Sequence, residues 1–397
     1  MKIAYHVVHF PYADTSSLTY SEYGKNYLHG GAGVATYHLA LNIAERGHEV
    51  GVFTTSTIGS KENFEKYENI NIHRYKTNFK IGVGNISINS FREPWKYKFD
   101  VVHAHSGSVS IAGLTGIQHA KKRNIPLVLT YHADAPENYG GFVRRMGVSF
   151  FNKYLIDRVL SYAEVIVCPS EYFIDESRFL KGYKDKIVTI PNGVKINNFD
   201  IPYSKNDCRK KLGFAPDENI VLFVGTLVDY KCPDVLIKAL TKVVKKIPNV
   251  KLVFVGDGKI RNDLELLSKK LMVDDHIKFV GFVGDVFEKA LYYKSADVFV
   301  LPSFAEVFPL VLLEASASSL PMVVSDLKTL QCIIEDGFNG IVVKKGNEIS
   351  LADALIHILE NEDTRVLMGK NARKKVEKFS WDEIAQKTEK IYYEVTS

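Results

Sequence analysis

The sequence predicts an α/β chain of two facing, doubly wound domains with an interdomain cleft. Three features carry that expectation. Short Val- and Ile-rich runs recur along the chain, longer helical patterns separate them, and the alternation breaks near residue 198 and then restarts. Strands that read as continuous apolar runs are buried on both faces, the condition of a parallel sheet covered by helices. A length of 397 residues admits two or three domains at about 100–200 residues each. Ligands of such sheets sit beyond the strand C-termini, so the cleft is the expected site.

In the first half, Lys2–Val8, His48–Thr54, Val101–Ala104, Pro126–Thr130, Val165–Pro169 and Ile187–Ile190 read as buried strands. Between the first two lies a helix, Ala32–Arg46, closed by Gly47 where a left-handed cap is expected. A charged connector, Lys195–Lys211, follows Asn192-Gly193. The second half then reads strand Ile220–Val224, helix Pro233–Lys246, strand Lys251–Val255, helix Arg261–Leu271 and strand Ile277–Val280. Helix Val286–Lys294, strand Val298–Leu301, helix Leu310–Ser318 and strand Met322–Val324 complete it. The domains accordingly span 1–197 and 198–379.

Apolar residues make up 46%, charged residues 24% and aromatic residues 12%, a balance that excludes disordered and collagen-like chains. The net charge of +5 suits an anionic substrate or membrane surface and does not by itself imply nucleic acid. Cys168, Cys208, Cys232 and Cys332 form no C-x-x-C pair, which removes zinc-ribbon and thioredoxin-type sites and reads as a reduced, cytosolic chain. The N-terminal MKIAYHVVHF lacks signal-peptide character. The apolar stretch Asp297–Ser325 is interrupted by Glu306, Pro309 and Glu314, so no membrane span is expected.

His29-Gly30-Gly31-Ala32-Gly33 opens the first long helix, and small residues at a helix N-terminus let backbone N–H groups approach an anion. The dinucleotide fingerprint is incomplete, with Thr36 at the third glycine and no ribose-binding acid after Phe53-Thr54-Thr55, which counts against an oxidoreductase. Gly256-Asp257-Gly258 is similarly incomplete and reads as a tight turn. No P-loop motif occurs. In Pro302–Ala315, Pro309 suits the first turn of a helix, with Glu306 before it and Glu314 past its first turn. Eight residues of helix would separate the two acids by about 12 Å, whereas glycosidase carboxylate pairs stand about 5–9.5 Å apart. One acid at each end of an elongated ligand, hydroxylated at both ends and anionic in the middle, fits better. The competing reading, a helix cap and a solvated face, suits Glu314 poorly because it sits inside an apolar run.

The segment P-S-x-x-E-x-F-P-L-V-L-L-E-A resembles the E-x7-E signature of retaining, GT-B-fold glycosyltransferases of family 4. The resemblance covers nearly the whole chain: Gly30-Gly31, Gly47-His48-Glu49-Val50, Asp100–His105, Thr130–Asp134, Pro191–Val194, Val224-Gly225-x-Leu227 with Lys231, Val255–Gly258 and Ala296–Val298. The last helix, 380–397 with Trp381 and Tyr392, resembles the one that crosses back onto the first domain. The resemblance implies a Rossmann-like acceptor-side domain and a Rossmann-like nucleotide-sugar domain. It implies that Gly31 meets the donor diphosphate, His132 the donor sugar, Lys231 the leaving diphosphate, Glu306 the transferred sugar and Glu314 the ribose. Backbone around Phe308, Pro309, Leu310 and Val311 would contact sugar and phosphate, and Phe282 and Val283 the base; Asp134 and His105 fall on the acceptor side. Charge stabilisation by a lysine and N–H groups requires no metal or other cofactor. Removing the Glu314 side chain is expected to weaken donor binding with little change in thermal stability.

The sequence also departs from the pattern. Thr226 replaces the usual Arg of the diphosphate clamp, Val307 the glycine after the first acid, Lys195 an Asp, and Leu327-Lys328-Thr329 a glycine pair. His103 and His105 share a strand face and could ligate metal with His132; positioned cleft histidines are the other reading. Ser106 and Ser108 have no evident base. Residues 139–160 interleave Arg144, Arg145, Lys153 and Arg158 with Phe142, Met146, Phe150, Phe151 and Tyr154, as an interfacial segment on anionic lipid or as an ordinary helix with snorkelling cations. The basic run Arg365–Lys378 reads as a solvated face. The function expected is a cytoplasmic, retaining, metal-independent transferase moving a sugar from a UDP- or GDP-sugar to a glycan, lipid or small-molecule hydroxyl. A nucleotide-sugar epimerase or hydrolase, and a non-catalytic sugar-nucleotide-binding subunit, are the alternatives.

Overall fold

In the computed structural model, which describes residues 1–11, 31–56, 62–67, 69–81, 84–107, 109, 111–135, 137 and 141–397, the chain divides into two units. One is Met1–Gly193 with Trp381–Ser397; the other is Val194–Ser380. Gly30, Ser108 and the start of the 139–160 segment lie outside the described residues.

The first unit contains β1 (Lys2–His6), α1 (Gly31–Glu45), β2 (Glu49–Thr55), β3 (Asn63–Tyr67), β4 (Ile70–Tyr75) and the hairpin β5 (Phe79–Ile81) and β6 (Gly84–Ile86). After a short α2 (Asn89–Arg92) come β7 (Val101–Ser106), α3 (Ile111–Arg123), β8 (Leu127–Tyr131), α4 (Phe142–Tyr154), α5 (Ile156–Tyr162), β9 (Val165–Cys168), α6 (Glu171–Glu176) and β10 (Ile187–Thr189). The sheet order is β10-β9-β8-β7-β1-β2-β4-β3, parallel throughout except where β3 lies antiparallel on β4. The strands expected from apolar runs are all present, and β1, β7 and β8 are almost wholly buried. The edge pair β3–β4 was not anticipated, because β3 reads Asn-Phe-Glu-Lys-Tyr and is largely exposed. Its anchor is Arg74 of β4, fully buried yet satisfied by both Glu65 oxygens and by the carbonyls of Phe10 and Pro11. A buried cation survives only with such partners.

The second unit restarts with α7 (Lys205–Leu212), capped by reciprocal Ser204–Asp207 hydrogen bonds. Part of the expected connector is therefore helix, fixed by a capping box. Then follow β11 (Asn219–Val224), α8 (Pro233–Lys246), β12 (Val250–Val255), α9 (Arg261–Lys270), β13 (Ile277–Gly281), α10 (Val286–Ser295), β14 (Val298–Leu301), α11 (Leu310–Ala317), β15 (Met322–Ser325), β16 (Gly340–Val343), α12 (Glu348–Glu360) and α13 (Glu362–Val376). All six strands are parallel, in the order β13-β12-β11-β14-β15-β16. The order reverses between β11 and β14, the switch point at which doubly wound sheets bind ligands. At the opposite ends of those two strands, buried Asp297 accepts from Arg209, Lys205 and the Ile220 amide, fastening α7 to the sheet. The basic run in α13 is not wholly solvated: Arg373 donates to Asp200 and to the Ala317 carbonyl.

The boundary placed after residue 197 falls inside a 3-10 turn, Ile196–Phe199, whose Phe199 packs edge-on against Tyr293 at 5.5 Å. That turn belongs to the second unit, and the division lies after Gly193. The last helix, α14 (Trp381–Thr396), belongs to the first unit. Trp381 stacks on His38 at 5.6 Å, and Glu389 binds His48 and Arg46 at 2.7 and 2.8 Å. Tyr392 is buried against Tyr5 with their hydroxyls 2.7 Å apart.

Candidate active site

At the C-terminal end of β11 the chain turns through Gly225-Thr226-Leu227 into a 3-10 turn, Asp229–Lys231, and enters α8 through Cys232 in the left-handed region (φ 53°). Its neighbour across the switch point, β14, ends in the loop that carries Ser303 and Glu306 before α11. The Phe304 amide donates to the Tyr230 carbonyl at 2.7 Å, tying the two loops together. Lys231 Nζ donates to Glu306 Oε1 at 2.8 Å, with the two side chains only 12% and 11% exposed. Ser303 Oγ donates to the same carboxylate oxygen at 2.9 Å, and Thr329 Oγ1 to the Glu306 carbonyl at 2.6 Å. Burial by itself would lower the Lys231 pKa, but the Glu306 carboxylate outweighs it and the value is raised, so the cation is held. A preformed, nearly dry lysine at a switch point is suited to meet developing negative charge.

The loops after β11, β12 and β13 approach backbone to backbone. Gly225 and Leu227 amides donate to Val255 and Asp257 carbonyls at 3.0 Å, and Gly256 donates to Gly281 at 2.7 Å. A Cβ on Gly256 (φ 138°) would stand 2.0 Å from the Gly225 carbonyl oxygen, and one on Gly258 2.1 Å from that of Leu227. Close interloop packing, more than the tight turn expected, requires these glycines. Thr226 is exposed, and the base-contact pair Phe282 and Val283 is partly exposed just past β13.

Pro309 is the N-cap residue of α11, one position before the first turn expected, while Phe308 is buried and Leu310 and Val311 are half-buried. Glu314 sits in the middle of α11. Its Oε1 accepts from Lys289 at 2.5 Å and its Oε2 from buried Tyr293 at 2.8 Å, both from α10. The expectation that removing this side chain leaves stability unchanged is therefore corrected. Glu314→Ala strips a lysine and a buried phenol of their acceptor, an expected loss of about 2 kcal/mol; Glu314→Gln retains the Tyr293 bond and should recover about half of it. Thermal or urea denaturation reads the difference, and identical midpoints for all three proteins would remove the latch.

In the first unit, His132 follows β8 and faces His105 of β7, Nε2 to Nδ1 at 3.2 Å. Burial lowers both, His132 to about 4 and His105 well below its ordinary value, so both are neutral near pH 7. Among the described residues, His105 Nε2 is buried with no hydrogen-bond partner. A buried lone pair costs less than a buried orphan N–H, so the shared proton belongs on His105 Nδ1. His132 then carries its own proton on Nδ1 and offers a donor to a ligand. His103 is spent differently, on the Tyr392 hydroxyl at 2.6 Å and the Thr130 hydroxyl at 2.7 Å. These bonds answer the metal reading of His103, His105 and His132: among the described residues, no group of three or more His, Cys, Asp or Glu is placed to hold a metal ion.

Asp134, expected on the acceptor side, is also a strut: its oxygens accept from the Tyr131 hydroxyl, the Ser177 hydroxyl and the Arg178 amide at 2.7–2.9 Å. Gly31 starts α1, and a Cβ there would meet no atom of the described residues within 4 Å, whereas one on Gly33 would stand 2.8 Å from the His9 carbonyl oxygen. Packing thus requires Gly33. Lys289 and Tyr293 were not singled out in the sequence, and Ser303 and Thr329 were named only within longer motifs, with no role. The four-residue spacing of Lys289 and Tyr293, one helix face, was the available signal.

Comparison with known proteins agrees with this architecture. The family described as Glycosyl transferases group 1 matches residues 204–375, and Glycosyltransferase Family 4 matches residues 29–198. An uncharacterised glycosyltransferase of Methanocaldococcus jannaschii is 31% identical over 91% of this chain and 94% of its own. Alpha-monoglucosyldiacylglycerol synthase of Streptococcus pneumoniae is 30% identical over 83% of this chain and 75% of its own. The structure of sucrose-phosphate synthase from Thermosynechococcus elongatus superposes with a TM-score of 0.76 at 24% identity, covering 99% of this chain and 98% of that one. With a lysine–glutamate pair at the second sheet's switch point, family matches over residues 29–198 and 204–375, and the relative that is 31% identical, the protein belongs to glycosyltransferase family 4 and is a GT-B-fold glycosyltransferase.

Proposed function

We propose that the chain is a retaining, metal-independent transferase that moves a hexose from a nucleoside-diphosphate sugar to an acceptor hydroxyl. The Lys231–Glu306 pair carries this reading, because it sets a buried cation beside a hydroxyl-binding carboxylate at the second sheet's switch point. Glu306 takes the transferred sugar's hydroxyls, and Lys231 the phosphate oxygens as the bond from the anomeric carbon to the diphosphate breaks. The Leu310 and Val311 amides, which precede the first hydrogen bond of α11 from Leu312 to the Pro309 carbonyl, lie within the same loop-and-helix unit and suit phosphate or sugar oxygens. The acceptor hydroxyl oxygen bonds to the anomeric carbon on the face from which the diphosphate leaves, and its proton passes to the departing phosphate oxygen. Glu314 retains a lone pair on each oxygen for ribose hydroxyls, Gly31 offers a backbone N–H to phosphate, and His132 donates from Nδ1 to a sugar hydroxyl. The name of the Streptococcus pneumoniae relative favours a lipid acceptor.

The test incubates the protein with UDP-, GDP- and ADP-glucose in EDTA, with and without a lipid extract, and reads diphosphate release and product mass. Release from one donor, accelerated by extract, with an α-linked glycolipid as product, is the expected result. Acceptor-independent release would favour a hydrolase, an inverted linkage would remove the retaining mechanism, and rescue by magnesium alone would remove metal independence. Donor binding without release would point to the non-catalytic subunit, with Thr226→Arg as the reversion to try.

A further inference from the structure

Helix α4 presents apolar side chains to solvent. Phe142, Val143, Met146, Phe150 and Tyr154 are 57–73% exposed, and at about 100° per residue they occupy an arc of about 120° on one side. The buried residues of the same helix, Val148, Phe151 and Asn152, lie on the opposite side. A helix of a globular domain ordinarily buries its apolar stripe once; α4 carries a second one facing outward. Phe150 and Tyr154 pack together at 5.2 Å, and Lys153 Nζ lies 5.1 Å from the Tyr154 ring centroid. Exposed Arg145 borders the arc and exposed Lys153 lies within it, and from Phe142 to Tyr154 there are three cations and no acid.

We infer that this face of α4 seats the protein on an anionic lipid bilayer, lying in the interface with Phe142, Met146 and Phe150 among the acyl chains. Charge selects the occupant. Two copies paired about a two-fold axis would set the same cations against one another, whereas anionic headgroups neutralise them while the apolar arc enters the interface. The nearest acid before the helix, Glu137, is already held by Asn152 at 2.9 Å and Arg178 at 3.1 Å. The inference goes beyond the proposed transfer, since it concerns binding of the bilayer itself and holds for any acceptor.

Sedimentation of the full chain with vesicles of equal parts phosphatidylglycerol and phosphatidylcholine, against phosphatidylcholine alone, tests it without reference to activity. Binding to the anionic vesicles that weakens with salt is expected. The triple change Phe142→Ser, Met146→Ser and Phe150→Ser should lower vesicle affinity at least about tenfold, and Arg145→Gln with Lys153→Gln should remove most of the salt dependence. Equal binding by the triple variant and the parent would overturn the inference. So would a vesicle-free dimer that the triple variant abolishes, without anionic-vesicle binding by the parent. Should the triple variant fail to fold, Phe150→Trp replaces it: a blue shift on adding anionic vesicles supports insertion, and an unchanged spectrum overturns it.

Discussion

Lys231→Ala is expected to lower turnover by about 10²–10³-fold while changing affinity for the free nucleoside little, the scale seen when one preorganised group facing developing charge is removed. The lysine is nearly buried and, among the described residues, its ion pair is with Glu306, so the substitution also leaves that carboxylate with Ser303 as its remaining side-chain donor there. A stability loss of about 2–4 kcal/mol should accompany it. The partner change separates the two effects. Glu306→Gln keeps the Ser303 bond and frees Lys231, so nucleoside-diphosphate affinity should hold or rise even as turnover falls. Steady-state kinetics with whichever donor the release assay selects, together with diphosphate titrations, decide the matter. Equal losses in turnover and nucleoside binding for Lys231→Ala would remove its leaving-group role.

Acidification is expected to unfold the first unit while the second remains folded. His6, His103, His105 and His119 are buried there, and burial lowers each of them, His103 to about 3 and His119 to about 4. Between their unfolded value near 6.5 and these lowered values the unfolded chain binds more protons than the fold. Stability is therefore complete above about pH 6.5 and declines as the pH falls through that window. His103 and His119 each contribute about 2 kcal/mol of loss between pH 6.5 and 5, and His6 and His105 act in the same direction, against a whole-domain stability of about 5–15 kcal/mol. Both tryptophans, Trp95 and Trp381, lie in the first unit, so their fluorescence reports it alone. The tryptophan melting midpoint should drop steeply between pH 7 and 5 while a second, less pH-sensitive transition persists in circular dichroism. A pH-independent tryptophan midpoint would show that these rings are hydrated enough to charge within the fold.

What the sequence determined by itself was local and periodic. Val/Ile runs bounded by helical patterns place the parallel strands because a fully buried strand has no polar alternation, and that signature survives any packing. Pro233 at the start of α8 and the apolar run around Glu314 were legible for the same reason: the constraint lies within a few residues. The edge strand β3, polar on both faces, carries no such mark, and Arg74 reads as a surface cation until Glu65 and the Phe10 and Pro11 carbonyls surround it.

The site divides in the same way. The Lys231 and Glu306 positions were visible through motif resemblance, but their ion pair joins residues 75 positions apart, and only the adjacency of β11 and β14 brings them together. Tertiary structure likewise made Asp134 a strut, gave Glu314 its partners on α10, and turned His105 into the group that fixes the His132 proton. Such roles depend on which polar atoms remain unsatisfied after the chain has packed. Sequence separation hides that quantity, and burial decides it.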